Sequence, residues 1–181
     1  VTINGKAAFV YYISPSQVNV LAPPDALNGS VPLVVTVNGA ASAAFNVNSG
    51  GVAPALFTFD GSNVAATHAD GSLIGPTQLY PGATTPARPG ETVILYGTGF
   101  GPTNPPVVAG SAQQTGILSP PPTFTIGGAP ATVQYAGLVF PGEYQFNVVV
   151  PPNAASGNQP VAGTINGRST PSGAVIAVQG Q

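Results

Sequence analysis

His68 is the chain's one histidine, and Asp70 and Ser72 follow it at two-residue steps. A histidine base set between an acid and a hydroxyl is the arrangement that activates a nucleophile for acyl transfer. Asp70-Gly71-Ser72 is equally ordinary turn chemistry, in which a short acid beside glycine needs no catalytic purpose. No oxyanion loop and no strand-to-helix nucleophile elbow accompany these residues. A solvated turn histidine is the reading the sequence favours.

Other reactive groups are sparse. Asp60, Asn63 and Asp70 could offer oxygen ligands to calcium, but the D-x-[DN]-x-[DN]-G alternation with a closing Glu is missing. Gly97-Thr98-Gly99-Phe100-Gly101 has the look of a dinucleotide loop. Such a loop needs a helix start beyond it to hold phosphates, and Pro102, Pro105 and Pro106 follow instead. Glu91 and Glu143 would be a glycosidase acid pair only if neighbouring charges drove their pKa values apart, and neither has titratable neighbours in sequence beyond Arg88 near Glu91. No catalytic, cofactor-binding or metal-ligating residues are therefore expected, and no cofactor. The reading is of a protein that is not an enzyme.

Composition narrows the partners. Three basic and five acidic residues make up 4% of the 181, against about 25% in ordinary domains. With 43% apolar residues a core is available, so the solvated surface must be Thr, Ser, Asn, Gln, Gly and Pro. Three cations cannot track a phosphate backbone, which excludes nucleic acid, and they give anionic membranes little to attract. No apolar run reaches the roughly 18 residues of a membrane helix, so no membrane insertion is expected. A net charge of −2 repels neighbours weakly and favours association. There is no Cys to report a redox compartment and no Met, even at the first position, as expected of a processed chain or a piece of a longer one. Few cleavage points for trypsin-like proteases suit a protein that persists outside cells.

The elements that must position these groups are strands. With 24 Gly and 21 Pro, most helices would be interrupted, and no sustained 3.6-residue period is present. Leu33, Val35 and Val37 alternate with polar or outward residues before Asn38-Gly39, and Ala43, Phe45 and Val47 return. Asn-Gly between alternating runs is the strongest short hairpin signal, because both turn residues must take positive φ. Residues 161–165, Asn166-Gly167 and residues 174–178 repeat the device. Tyr144, Phe146 and Val148 alternate and stop at Pro151-Pro152, which lack N–H donors. Residues 55–59 and 64–67 flank Asp60-Gly61-Ser62-Asn63 as a further hairpin, and the Pro/Gly-rich stretches 69–90 and 101–122 read as irregular coil. Strands spaced about 8–12 residues apart with Gly/Pro turns imply an antiparallel sandwich.

The chain also repeats itself. Thr2-Ile3-Asn4-Gly5 matches Thr125-Ile126-Gly127-Gly128, and Tyr12 matches Tyr135. Gln17, Asn19, Pro23 and Pro24 match Gln145, Asn147, Pro151 and Pro152, and Thr36-Val37-Asn38-Gly39 matches Thr164-Ile165-Asn166-Gly167. A fixed-offset repeat marks a duplicated structural unit. Residues 91–96 precede the later copy as a strand and have no counterpart before the first. Two units are expected: residues 1–50 as a partial one, and 51–181 as a fuller one with Pro/Gly-rich loops, joined near Ser49-Gly50-Gly51.

Residues 91–102, running from Glu91 through Gly97-Thr98-Gly99-Phe100-Gly101-Pro102, resemble the IPT/TIG immunoglobulin-like domains, where a strand runs into a Gly-x-Gly-Phe turn. The wider set of Ala69-Asp70-Gly71-Ser72-Leu73, Gly127-Gly128-Ala129-Pro130-Ala131 and Tyr144-Gln145-Phe146-Asn147-Val148 is similar to an uncharacterised C-terminal domain of secreted acidobacterial proteins. That resemblance implies an all-β fold of two immunoglobulin-like (IPT/TIG-like) antiparallel β-sandwich units, the first incomplete at its N-terminal side, and a secreted context. It carries no activity with it.

A β unit short of strands exposes apolar faces and unpaired backbone edges. The expected function is a non-enzymatic structural protein, extracellular or at the cell surface, whose copies assemble into a filament or surface fibre by inter-subunit strand completion. Candidate contacts are Val1, Ile3, Phe9, Tyr11 and Tyr12 on the opening strands. Ala174, Val175, Ile176 and Val178 form the candidate donor or adjoining strand. Alternatives are an attachment module at the end of a larger secreted protein and a carbohydrate-binding module presenting its tyrosines to glycans. Residues 55–67 could also fold back and complete the first unit from within.

Overall fold

A computed structural model describes residues 1–24, 28–108 and 111–180. Asp25, one of the eight charged residues, and part of the 101–122 coil lie outside the described residues. The chain opens with ten short strands: β1 (Thr2–Ile3), β2 (Lys6–Ala7), β3 (Phe9–Ile13), β4 (Val18–Leu21), β5 (Gly29–Val34), β6 (Thr36–Val37), β7 (Ala40–Ala41), β8 (Phe45–Ser49), β9 (Ala55–Leu56) and β10 (Ala66–Thr67). They are followed by β11 (Leu73–Ile74), β12 (Thr84–Thr85), β13 (Thr92–Thr98), β14 (Thr123–Ile126), β15 (Ala129–Phe140), β16 (Glu143–Val149), β17 (Gly157–Ile165), β18 (Arg168–Ser169) and β19 (Val175–Val178). No helix occurs among the described residues. The fold is all-β and, but for the short parallel contact of β11 with β12, its ladders are antiparallel.

Pairing divides at residue 50. One sheet runs β2-β1-β5-β8, and β3-β4 and β6-β7 are separate hairpins. An 11-stranded path, β12-β11-β10-β13-β16-β15-β14-β17-β18 with β9 on β13 and β19 on β17, takes the rest. Residues 55–67 thus add to β13 through β9 and β10 and do not complete the first unit, which corrects that expectation.

The sequence repeat is a repeat of register. Tyr12 faces Asn19 as Tyr135 faces Asn147, each just after a bulge, between Val10 and Tyr12 and between Val133 and Tyr135. Thr2 and Ile3 pair Val34 and Leu33 as Thr125 and Ile126 pair Ala162 and Val161. Asn4-Gly5 (φ 51 and 74) and Gly127-Gly128 (φ 62 and 79) make the same turn, as do Asn38-Gly39 (φ 50 and 81) and Asn166-Gly167 (φ 48 and 74). Positive φ at both central residues matches the turn twist to the strand twist. The runs after the Asn-Gly turns divide in two. Ala40–Ala41 and Arg168–Ser169 close the hairpins, whereas β8 and β19 pair the earlier parts of β5 and β17.

The copies differ in what covers them. In the later copy β16 is paired on one side by β15 and on the other by β13. Among the described residues its equivalent, β4, pairs β3 alone. The hydrophobic core follows this difference, for it is drawn from Val52 onward, including Val93 and Leu95 of β13, Phe124, Phe146, Val148, Val161 and Ile176. Phe100, Phe124 and Phe146 meet at its centre, with ring centroids 4.4–6.3 Å apart. β15 makes this closure possible. Its first residues pair β14 and the remainder pairs β16, so the sheet folds over where the strand changes partners, and bulges supply the bend. Among the described residues 1–50, Leu21 and Val31 are the buried apolar side chains. Val10, Tyr11, Tyr12, Ile13, Val18, Val37 and Phe45 are exposed.

Residues 69–90 are more ordered than the coil expected of them, since β11 and β12 join the sheet there. Among the described residues of the 101–122 stretch the ordered pairing is two isolated bridges at Ile117, to Asn104 and to Gly137.

Candidate functional site

Two places hold the residues the sequence singled out. The first is the uncovered opening unit. Phe9 is half-buried and Tyr11 and Tyr12 are exposed, while Val1 and Ile3 are half-buried. Tyr11 touches Phe140 of the later unit edge-on, at a ring distance of 5.8 Å. Phe146, at 0% exposure, has Val18 as its counterpart at 37%, and Ile165 at 6% has Val37 at 58%. Each residue of the first copy is thus far more exposed than its counterpart in the later one. A cavity of about 490 Å³ runs along the seam of the two units, between Ile3, Leu21 and Pro23 on one side and Thr98, Gly99 and Tyr144 on the other. Residues 174–178 do not belong to this surface. Val175 to Val178 pair with Gly157 to Pro160, and Ile176 and Val178 are buried at 1% and 3%. The expectation of a free donor strand there is corrected, because its apolar side chains already fill the core of their own unit.

The second place is an open cavity of about 620 Å³ whose wall gathers His68, Asp70, Arg88 and Glu91 from a chain with few titratable groups. His68 leaves β10 into a turn closed by its own N–H on the Ser72 carbonyl at 2.9 Å. Asp70 and Ser72 do not meet it as an acid and a nucleophile. The Ser72 hydroxyl and N–H both donate to Asp70 Oδ1, at 2.6 and 2.9 Å, which holds the Asp70 carboxyl below the usual carboxylate range. His68 instead places Nδ1 against Glu91 Oε1 and Nε2 at 2.9 Å from Thr85 Oγ1. Both ring partners come from other strands, Thr85 from β12 and Glu91 from the residue before β13.

Glu91 is therefore not a lone strand-end carboxylate, as its sequence surroundings implied. Its second oxygen accepts the Arg88 backbone N–H at 2.8 Å, so Arg88 meets it through the main chain. Side-chain exposures of 17% for His68 and 23% for Glu91 leave the pair sheltered yet reachable. Glu143 lies apart in β16, where burial raises its pKa. Asp60 spends its oxygens on Ser62 and Asn63 within its own turn, which pulls it down to about 2. Among the described residues no group of three or more His, Cys, Asp or Glu side chains is placed to hold a metal ion.

A hydroxyl, an imidazole and a carboxylate in line can move a proton off the hydroxyl. Sequence reasoning found the histidine and missed both partners. Thr85 carried no local signal, and Glu91 stands 23 positions away.

Comparison with protein-family models finds no match to the chain, and neither do comparisons with curated proteins and with solved structures.

Proposed function

We propose that this chain is a non-enzymatic structural subunit of extracellular material, built of immunoglobulin-like units, whose copies join when the opening unit takes a strand from a neighbour. The observation that carries the reading is the side of β4 that has no strand partner among the described residues, where the later copy has β13. Strand addition there would supply main-chain hydrogen bonds and cover Val18 and Tyr12, both exposed. The strand that fits presents apolar side chains at alternate positions, as β13 does with Val93 and Leu95 inward. Within this chain β8 has that pattern, lies at the end of its sheet, and shows Phe45 at 69% exposure. Seating β8 of one copy on β4 of the next is a head-to-tail contact, which repeats into an open filament. Near-neutral charge supports such packing.

Electron microscopy and sedimentation of the purified chain over a range of concentrations test this. Fibres or a ladder of oligomers are expected, and both should vanish with Val18→Lys or Phe45→Asp. A wild-type chain that stays monomeric at high concentration overturns the proposal. A second reading, an attachment module whose missing strand comes from further residues of a longer secreted protein, is favoured by the engagement of β19 in its own core. A longer native product that is monomeric and has a covered β4 would select it.

A further inference from the structure

We infer that Thr85, His68 and Glu91 form an acyl-transfer triad acting within the chain, and that it joins Thr85 to Gln179 through an ester. The contact order is that of a nucleophile, a base and the acid that positions it: Thr85 Oγ1 lies 2.9 Å from His68 Nε2, and Glu91 Oε1 sits on Nδ1. With Nδ1–H donated to the carboxylate, Nε2 presents its lone pair to the threonine hydroxyl. The Thr85 carbonyl, 3.4 Å from the same nitrogen, is the poorer partner. Nothing in the turn chemistry of residues 68–72 requires these two long-range contacts.

Gln179 supplies the acyl group. It lines the same cavity as Thr85, His68 and Glu91. Its backbone is tied to the segment just after Thr85, with Gln179 N–H on the Ala87 carbonyl at 2.8 Å and Ala87 N–H on the Ala177 carbonyl at 2.9 Å. Thr85 Oγ1 attacks Gln179 Cδ, and His68 Nε2 takes the hydroxyl proton. The tetrahedral centre then expels the amide nitrogen, which leaves as ammonia with the proton returned by His68. One C–O bond forms, one C–N bond breaks, and no oxidant, metal or second substrate takes part. Arg88 brings a cation to the same wall, of the sign that stabilises the oxygen charge developing on Cδ. The product is a single-turnover staple from the residue that follows β19 to β12 itself. In a chain with no cysteine, such a bond cross-links two distant segments as a disulfide would.

The test is intact mass measurement of the folded wild-type chain, followed by tandem mass spectrometry of a digest. A mass short by one ammonia is expected, with one peptide pair linked through Thr85 and Gln179. Thr85→Val and His68→Ala should carry the full sequence mass, and Thr85→Ser should restore the link. Thermal unfolding of each variant confirms that it is folded. Full mass in the wild type, or a linked His68→Ala, overturns the triad. So does an ammonia loss that maps to a succinimide at an Asn-Gly turn with Thr85 and Gln179 in separate peptides. None of these readings depends on assembly, so the ester and the filament stand or fall separately.

Discussion

Tyr11 meets Phe140 edge-on, with ring centroids 5.8 Å apart and planes at 90°, and this contact helps hold the opening unit to the later one. Edge-to-face pairs contribute about 0.5–1.5 kcal/mol beyond the area they cover. The two units share no strand ladder among the described residues, so few other contacts replace it. Phe140→Ala should speed hydrogen exchange across residues 1–49 several-fold while leaving residues 92–98 and 143–149 protected. Unchanged exchange in the first unit would show that the pair does not hold the seam.

Equivalent positions of the two copies should respond unequally. Phe146→Ala opens a hole in the core and should cost about 3–5 kcal/mol, whereas Val18→Ala at the matching place should cost under about 0.5 kcal/mol in the isolated chain. Urea unfolding of both variants provides the comparison. Similar losses would mean that the first unit has a core in solution after all.

Gly99 and Gly128 both hold positive φ, at 75° and 79°, yet only one is also hemmed in. A Cβ at Gly99 would lie 1.9 Å from the Ala53 carbonyl oxygen, on the segment that links the two units, while one at Gly128 would meet nothing within 4 Å. Gly128→Ala should lose about 1–2 kcal/mol for the left-handed backbone. Gly99→Ala should lose clearly more, because the Ala53 N–H bond to the Gly99 carbonyl at 2.8 Å must break as well. Equal melting temperatures for the two variants would contradict this account.

Alkaline stability should report on Tyr144. Its hydroxyl donates to the Gly101 carbonyl, and burial raises its pKa from 10 to about 12. A folded-state pKa above the unfolded one gives stability that is full below about pH 10 and is lost as pH climbs toward 12. Tyr144→Phe should remove that part of the loss. It should also cost about 1 kcal/mol at neutral pH by removing the hydrogen bond to the part-buried Gly101 carbonyl. Denaturant midpoints from pH 8 to 12 for both chains would show it, and parallel curves would count against it.

Much of the architecture is written locally. Asn38-Gly39 and Asn166-Gly167 announced hairpins, and the all-β fold followed from alternation and from proline and glycine punctuation. The repeat offset pointed to a duplicated unit, and the structure adds that the register of the two copies matches, down to the bulges before Tyr12 and Tyr135. Residues 69–90 were harder, because two-residue strands such as β11 and β12 are too short to show a period.

The amino-acid sequence by itself determined the turns, the strand alternation and the duplication, since these depend on backbone energies and side-chain order within a few residues. Tertiary structure alone decided that residues 174–178 belong to their own core, that residues 55–67 serve the later unit, and that His68 finds Thr85 and Glu91 at separations of 17 and 23. Such meetings arise from how sheets stack and where β15 changes partners. Many weak long-range contacts settle that jointly, and no short window of sequence contains them.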